Sequence, residues 1–124
     1  CWWPALPELD SWLRLYRTAA RLNGGEPDAG RRLLSWAHEA GLAGAVASSS
    51  TWCYATQPER EWWGGMWADR ILTSAINRTL INAELATDAE LQEISDAWRA
   101  WASAEDGWFS VLHGELIYRV PSRS

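Results

Sequence analysis

Only two stretches of this 124-residue chain alternate at the two-residue period of a β-strand; four others carry the three- and four-residue spacing of amphipathic helices. In the first, Leu42–Ala55, the residues Val46, Ser48, Ser50, Trp52 and Tyr54 fall on one face. Ala45, Ala47, Ser49, Thr51 and Cys53 fall on the other. Small residues on both faces predict a strand closely covered by neighbours, while the Ser run also suits a sheet edge. The second stretch, Trp108–Val120, follows the turn Glu105-Asp106-Gly107 and is closed by Pro121. Two such strands leave long open edges, and a sheet made of them alone would be marginal. The chain therefore reads as one end of a larger α/β sheet whose central strands lie upstream. An intact small α+β domain is the alternative.

The helices complete the order helix, helix, strand, helix, helix, strand. Leu9, Trp12, Leu13, Tyr16, Ala19 and Ala20 give one apolar face from Pro7 to Asn23, where Asn23-Gly24-Gly25 stops the helix. A second helix should start near Pro27-Asp28, bury Ala29, Leu33, Trp36, Ala37 and Ala40, and end at Gly41. Thr56-Gln57-Pro58-Glu59 is a capping box with Pro in the first turn, and predicts one long helix to about Ala83. Thr87-Asp88-Ala89-Glu90 is a second capping box, opening a helix to about Ala104 with Leu91, Ile94, Trp98 and Trp101 as its buried seam.

Charge and composition exclude several classes of function. Net charge is -5, so the chain shows no electrostatic footprint for a phosphate backbone, and nucleic acid is not an expected partner. No apolar run reaches the ~18 residues of a membrane span, and no membrane partner is expected. Cys1 and Cys53 do not make a disulfide framework, and Cys53 reads as a small buried hydrophobe in a reduced, cytoplasmic protein. The chain begins with Cys1 and its single Met is Met66, which points to truncation of a longer chain. Lipoprotein maturation fits less well, because Trp2-Trp3-Pro4 is a poor flexible tether.

Groups that could run chemistry are sparse. His38 and His113 have no ligand-spaced partner, so no metal site is expected. His38 reads as a surface residue and His113 as a satisfied structural histidine. Ser48-Ser49-Ser50 has no neighbouring base, and the carboxylates are scattered over helix faces or act as caps. No catalytic residue is assigned. The aromatics are the one concentrated signal: 11 Trp stand against a single Phe. Trp36, Trp98 and Trp101 sit at core spacing. Trp2-Trp3, Trp52 with Tyr54, and Trp62-Trp63 with Trp67 cluster instead at element ends. Adjacent indoles such as Trp62 and Trp63 cannot both face one core, so at least one meets a pocket, a second chain or solvent.

Several of these stretches together resemble a known group. They are Trp52-Cys53-Tyr54-Ala55-Thr56, Pro58-Glu59-Arg60-Glu61-Trp62-Trp63-Gly64-Gly65, Trp67-Ala68-Asp69-Arg70 and Trp108-Phe109-Ser110-Val111-Leu112-His113-Gly114-Glu115. With Pro4-Ala5-Leu6-Pro7-Glu8-Leu9-Asp10 and Gly24-Gly25-Glu26-Pro27-Asp28-Ala29-Gly30-Arg31, they are similar to the C-terminal part of actinobacterial class I S-adenosylmethionine-dependent methyltransferases. The resemblance implies a Rossmann-like α/β fold in which residues 1–124 are the substrate-side part of one domain. The glycine-rich cofactor-binding half would be absent. Leu42–Ala55 would be strand six, and Trp108–Val120 an antiparallel strand seven lying between strands five and six.

The same mapping implies a site. Ligands of open α/β sheets bind at the carboxyl ends of the parallel strands. Trp2, Trp3, Trp52, Tyr54, Trp62, Trp63, Trp67 and Trp108 would therefore meet where a small-molecule methyl acceptor sits, this segment forming its pocket and lid. S-adenosylmethionine would be held mainly by the absent half. A non-enzymatic Trp-rich module that binds a ligand or forms a homodimer is the competing reading.

Overall fold

Pro7 at the start of α1 (Pro7–Leu22) supplies a backbone angle suited to the first helical turn, and the apolar stripe then buries Leu9, Trp12, Leu15 and Ala19. The computed structural model describes residues 1–123, which fall into two compact units. The first comprises Cys1–Glu26 and Cys53–Ser110; the second comprises Pro27–Trp52 and the chain from Val111 onward.

In the first unit, α1 is followed by α3 (Gln57–Thr73), α4 (Ala75–Asn82) and α5 (Asp88–Ser103), and α3 packs mainly on α5. Both expected capping boxes form. The Thr56 hydroxyl accepts from the Glu59 N–H while the Glu59 carboxylate accepts from the Thr56 N–H, and Thr87 and Glu90 repeat the arrangement at α5. Gly64 lets α3 and α5 approach. A Cβ there would lie 2.9 Å from the Ala102 Cβ and 2.9 Å from the Trp98 carbonyl oxygen. The expected seam of Leu91, Ile94, Trp98 and Trp101 is buried on α5.

The single long helix expected from Thr56 to Ala83 is instead two helices. Ser74 is extended, with ψ -178°, and its hydroxyl donates to the Arg70 carbonyl at 2.6 Å. The Asn77 side chain takes up the Ile71 carbonyl at 3.0 Å. Side chains that bond nearby carbonyls compete with the helical ladder. The Arg70 carbonyl keeps its ladder bond from the Ser74 N–H at 3.1 Å, whereas at Ile71 the Asn77 amide bonds the carbonyl instead. α4 closes with a doubly bonded turn, Glu84 N–H to Ile81 O and Leu85 N–H to Leu80 O. Glu84 therefore occupies the left-handed position usually given to glycine, at φ 56°.

The strand order also gains a member. Trp2–Trp3 forms a two-residue strand, β1, antiparallel to β3 (Trp108–Ile117), with Trp2 opposite Phe109 and Trp3 opposite Trp108. The Ser110 N–H donates to the Cys1 carbonyl at 2.9 Å and extends the pairing. With β2 (Val46–Tyr54) they form one three-stranded sheet of order β1-β3-β2. The observed order is thus strand, helix, 3-10 turn, helix, strand, three helices, strand.

In the second unit the expected helix from Pro27 shrinks to a 3-10 turn, Ala29–Arg32, followed by α2 (Leu33–Glu39). Only Ala37 of its expected apolar face is fully buried; Trp36 is half-buried with the Arg32 guanidinium 4.9 Å above its ring. β2 is shorter than expected, because Leu42–Ala45 is a turn region. It is also exposed along all but its last residue, so the close cover predicted from its small side chains is absent and the edge reading holds. Cys53 is exposed on this strand rather than buried. His113 packs its ring 4.1 Å from that of Trp52, and its buried Nδ1 has no hydrogen-bond partner among the described residues. It is not the satisfied histidine expected.

Candidate functional site

The end of β2 and the start of α3 bring three of the predicted aromatics together. The Thr56–Glu59 cap fixes the turn between strand and helix, and Glu59 also accepts from the Ala55 N–H at 2.9 Å. Tyr54 is thereby held over the first turns of α3, where its ring stacks on Trp63 at 4.5 Å and 11°. Trp62 lies 5.9 Å from Tyr54 and 6.2 Å from Trp63, with 60% of its surface exposed. The adjacent indoles divide as their spacing required. Trp63 turns inward and is half-buried, while Trp62 faces solvent.

Arg60 locks this corner from beneath. It is buried, its Nη1 donates to the Ala55 carbonyl at 2.5 Å, and its Nε donates to the Ala102 carbonyl at 3.3 Å. One guanidinium thus ties the end of β2 to the end of α5. Its stem lies against Gly107, where a Cβ would come within 2.6 Å of the Arg60 Cδ.

Behind the corner the rings continue without a gap. Trp63 contacts Trp67 at 6.2 Å and Phe109 at 5.6 Å. Phe109 in turn stacks on Trp2 at 5.7 Å and meets Trp12, Trp98 and Trp101. Trp67 is only 6% exposed and belongs to this interior. Trp3 and Trp108 lie opposite each other on the paired strands, both exposed. The Trp3 indole donates to Asp106 at 3.0 Å and its carbonyl accepts from Trp101 Nε1 at 3.0 Å. Trp52 is exposed and belongs to the second unit, against His113.

The predicted residues therefore separate by environment. Tyr54, Trp62 and Trp63 form a surface aromatic corner, Trp2 and Trp67 join the ring network behind it, and Trp3 and Trp108 form an exposed cross-strand pair. Phe109, Trp12 and Arg60 were missed as parts of this arrangement. Phe109 carried a readable signal, since it is the strand residue whose direction alternates with Trp108. Arg60 carried none, because one arginine in a charged first turn reads as solvated. Elsewhere in this unit a cavity of about 170 Å³ lies between α1 and α5, lined by Glu8, Arg14, Leu85 and Glu93 among others, and holds none of the predicted aromatics.

The electrostatics of the corner centre on Glu59. Hydrogen bonds from the Ala55 and Thr56 N–H groups, then from the Thr56 hydroxyl, hold its carboxyl below the usual range. Partial burial, and secondarily the Glu59 charge, push the Tyr54 phenol up. A carboxyl depressed in the native state stabilises the fold above its ordinary value near 4.5, and that contribution is lost as pH falls through the native value. Glu59→Gln should therefore lower the melting temperature at neutral pH, with the gap to wild type closing as the pH falls below the ordinary carboxylate value. A gap independent of pH would show that the charged cap carries no stability.

No group of three or more His, Cys, Asp or Glu among the described residues could hold a metal ion. No helix among them is long and apolar enough to cross a membrane. The chain is 30% identical over 109 residues to a protein of Schizosaccharomyces pombe named as an uncharacterized methyltransferase. The match covers 85% of this chain and 38% of that relative. The chain thus corresponds to well under half the length of the relative it matches. No protein-family model and no solved structure matches it. The sequence relationship is to a methyltransferase, and the α/β architecture with its antiparallel sheet is compatible with part of such a fold.

Proposed function

We propose that this chain is the substrate-side part of a class I, S-adenosylmethionine-dependent methyltransferase acting on a small molecule in the cytoplasm. In this reading β1, β3 and β2 correspond to the end of strand five, strand seven and strand six of a larger, mostly parallel sheet. The observation that carries the acceptor role is the corner of Tyr54 stacked on Trp63 beside the exposed Trp62, at the carboxyl end of β2. Ligands of open α/β sheets bind at such ends.

The chain's own residues do not fit the methyl donor as its holding site. A donor cradle needs a glycine-rich strand-to-helix turn with free N–H groups. The strand-to-helix turn after β2, Ala55-Thr56, has no glycine, and Glu59 already occupies its N–H groups. The donor, when bound, supplies the activated methyl group, and its binding falls to residues beyond these. What these residues offer is a wall. Flat rings orient an apolar or cationic acceptor and exclude water, and methyl displacement depends on that alignment more than on a catalytic side chain.

Calorimetric titration of the chain with S-adenosylmethionine should give no micromolar binding; micromolar binding would contradict this division of labour. In the protein extended to the length of its relative, Trp62→Ala should lower kcat/KM for the acceptor by roughly tenfold or more with the fold unchanged. Unchanged kinetics would remove Trp62 from the acceptor site. The exposure of Trp62 also favours a second reading, a non-enzymatic module that binds its ligand or a second copy through that indole.

A further inference from the structure

β2 is an edge strand without the protection that edges ordinarily carry. Natural edges are blunted by charge, proline, bulges or short length. β2 runs nine residues, Val46–Tyr54, at the end of the order β1-β3-β2, exposed along all but its last residue. It contains no charged residue and no proline, and it lies inside the longest uncharged run of the chain, Ala40 to Pro58. We propose that β2 pairs antiparallel with β2 of a second copy across a two-fold axis. This proposal rests on the edge alone and stands whether or not the chain serves a methyltransferase.

Charge argues for a second copy as the occupant. The chain carries -5, so two copies repel over most of their surfaces and least along this neutral strand. Size argues the same way. An antiparallel two-fold pairing uses one surface twice. Centred on Ser50, it sets Trp52 opposite Ser48, Tyr54 opposite Val46 and Cys53 opposite Ala47. Each larger side chain then meets a smaller one, and Ser50 meets itself.

Sedimentation velocity across the micromolar range should show a reversible monomer–dimer equilibrium. Ser50→Lys places two ammonium groups opposite each other on the axis, where like charges destabilise pairing. It should weaken dimerisation by about tenfold or more. Ser103→Lys, the same charge change at the exposed end of α5, should leave the dimer intact. Hydrogen exchange should find alternate β2 amides protected in wild type and unprotected in Ser50→Lys. A monomer at every concentration overturns the proposal, including one whose β2 amides facing away from β3 are protected, which would mean that another part of the same chain covers the edge. Equal dimerisation of the two lysine variants also overturns it.

Discussion

Truncating Trp98 to alanine should cost about 3–5 kcal/mol, the range for deleting a large buried aromatic. That is a large share of the ~5–15 kcal/mol by which a domain of this size is stable. Trp98 is 0% exposed on α5, and its ring meets Trp12 edge-on at 5.0 Å, Trp101 edge-on at 5.6 Å and Phe109 at 5.5 Å. The hole left by the indole would open into rings too rigid to collapse, so the cavity term should stay near its maximum. Trp98→Phe makes the test sharper. Trp98 Nε1 is buried with no hydrogen-bond partner among the described residues, a burden of about 1–3 kcal/mol for a neutral donor. Phenylalanine removes that burden together with some packing, so it should cost much less than alanine. Chemical unfolding of both variants measures the difference. Equal losses would mean that neither the packing a phenyl ring retains nor the removal of the buried N–H offsets the loss of the indole.

Trp12, Trp63 and Trp67, all within the ring network, likewise have a buried indole N–H with no hydrogen-bond partner among the described residues. An interior built from indoles fills space but brings polar atoms that a leucine core would not have. Trp62→Ala, by contrast, should change stability little, because that ring already lies mostly in water. Stability and the proposed acceptor role can therefore be tested separately by choice of tryptophan, Trp98 for the first and Trp62 for the second.

What could be read from the sequence was local. A capping box is four residues long and needs nothing distant, and both boxes form where Thr56 and Thr87 predict them. The seam from Leu91 to Trp101 was equally legible, because one face of a helix is periodic in its own sequence. β1 was not, since two residues have no period; Trp2 and Trp3 become a strand only by pairing with Phe109 and Trp108. The break at Ser74 was hidden because the apolar spacing runs through it; it is marked by the extended Ser74 backbone and by the Ser74 and Asn77 side chains bonding the Arg70 and Ile71 carbonyls. The cover over β2 was misread because alternating Ala and Ser suit a crowded strand and a bare edge alike. At the site, the division between Trp62 and Trp63 followed from helical geometry, but the stack with Tyr54 needed the strand-to-helix turn in three dimensions.

Gly114→Ala should be the most damaging single substitution in the second unit, with a loss on the order of 3 kcal/mol. Glycine inside a strand ordinarily weakens it, and alanine would then be favoured by ~0.5–1 kcal/mol. Here the contact reverses that sign. A Cβ on Gly114 would sit on the carbonyl of Gly30, in the 3-10 turn, and one on Gly30 would lie 2.8 Å from the Gly114 nitrogen. Both obstacles are backbone, so no side chain can rotate away, and the turn must separate from β3. The damage should be confined by the boundary between units. Amides in residues 27–52 and 111–117 should lose hydrogen-exchange protection, while the helices of the first unit keep theirs. Gly30→Ala should reproduce the effect, and the double variant should cost less than the sum, since the first substitution already breaks the contact. A Gly114→Ala variant within about 0.5 kcal/mol of wild type, with protection unchanged, would show that the turn and the strand do not depend on this approach.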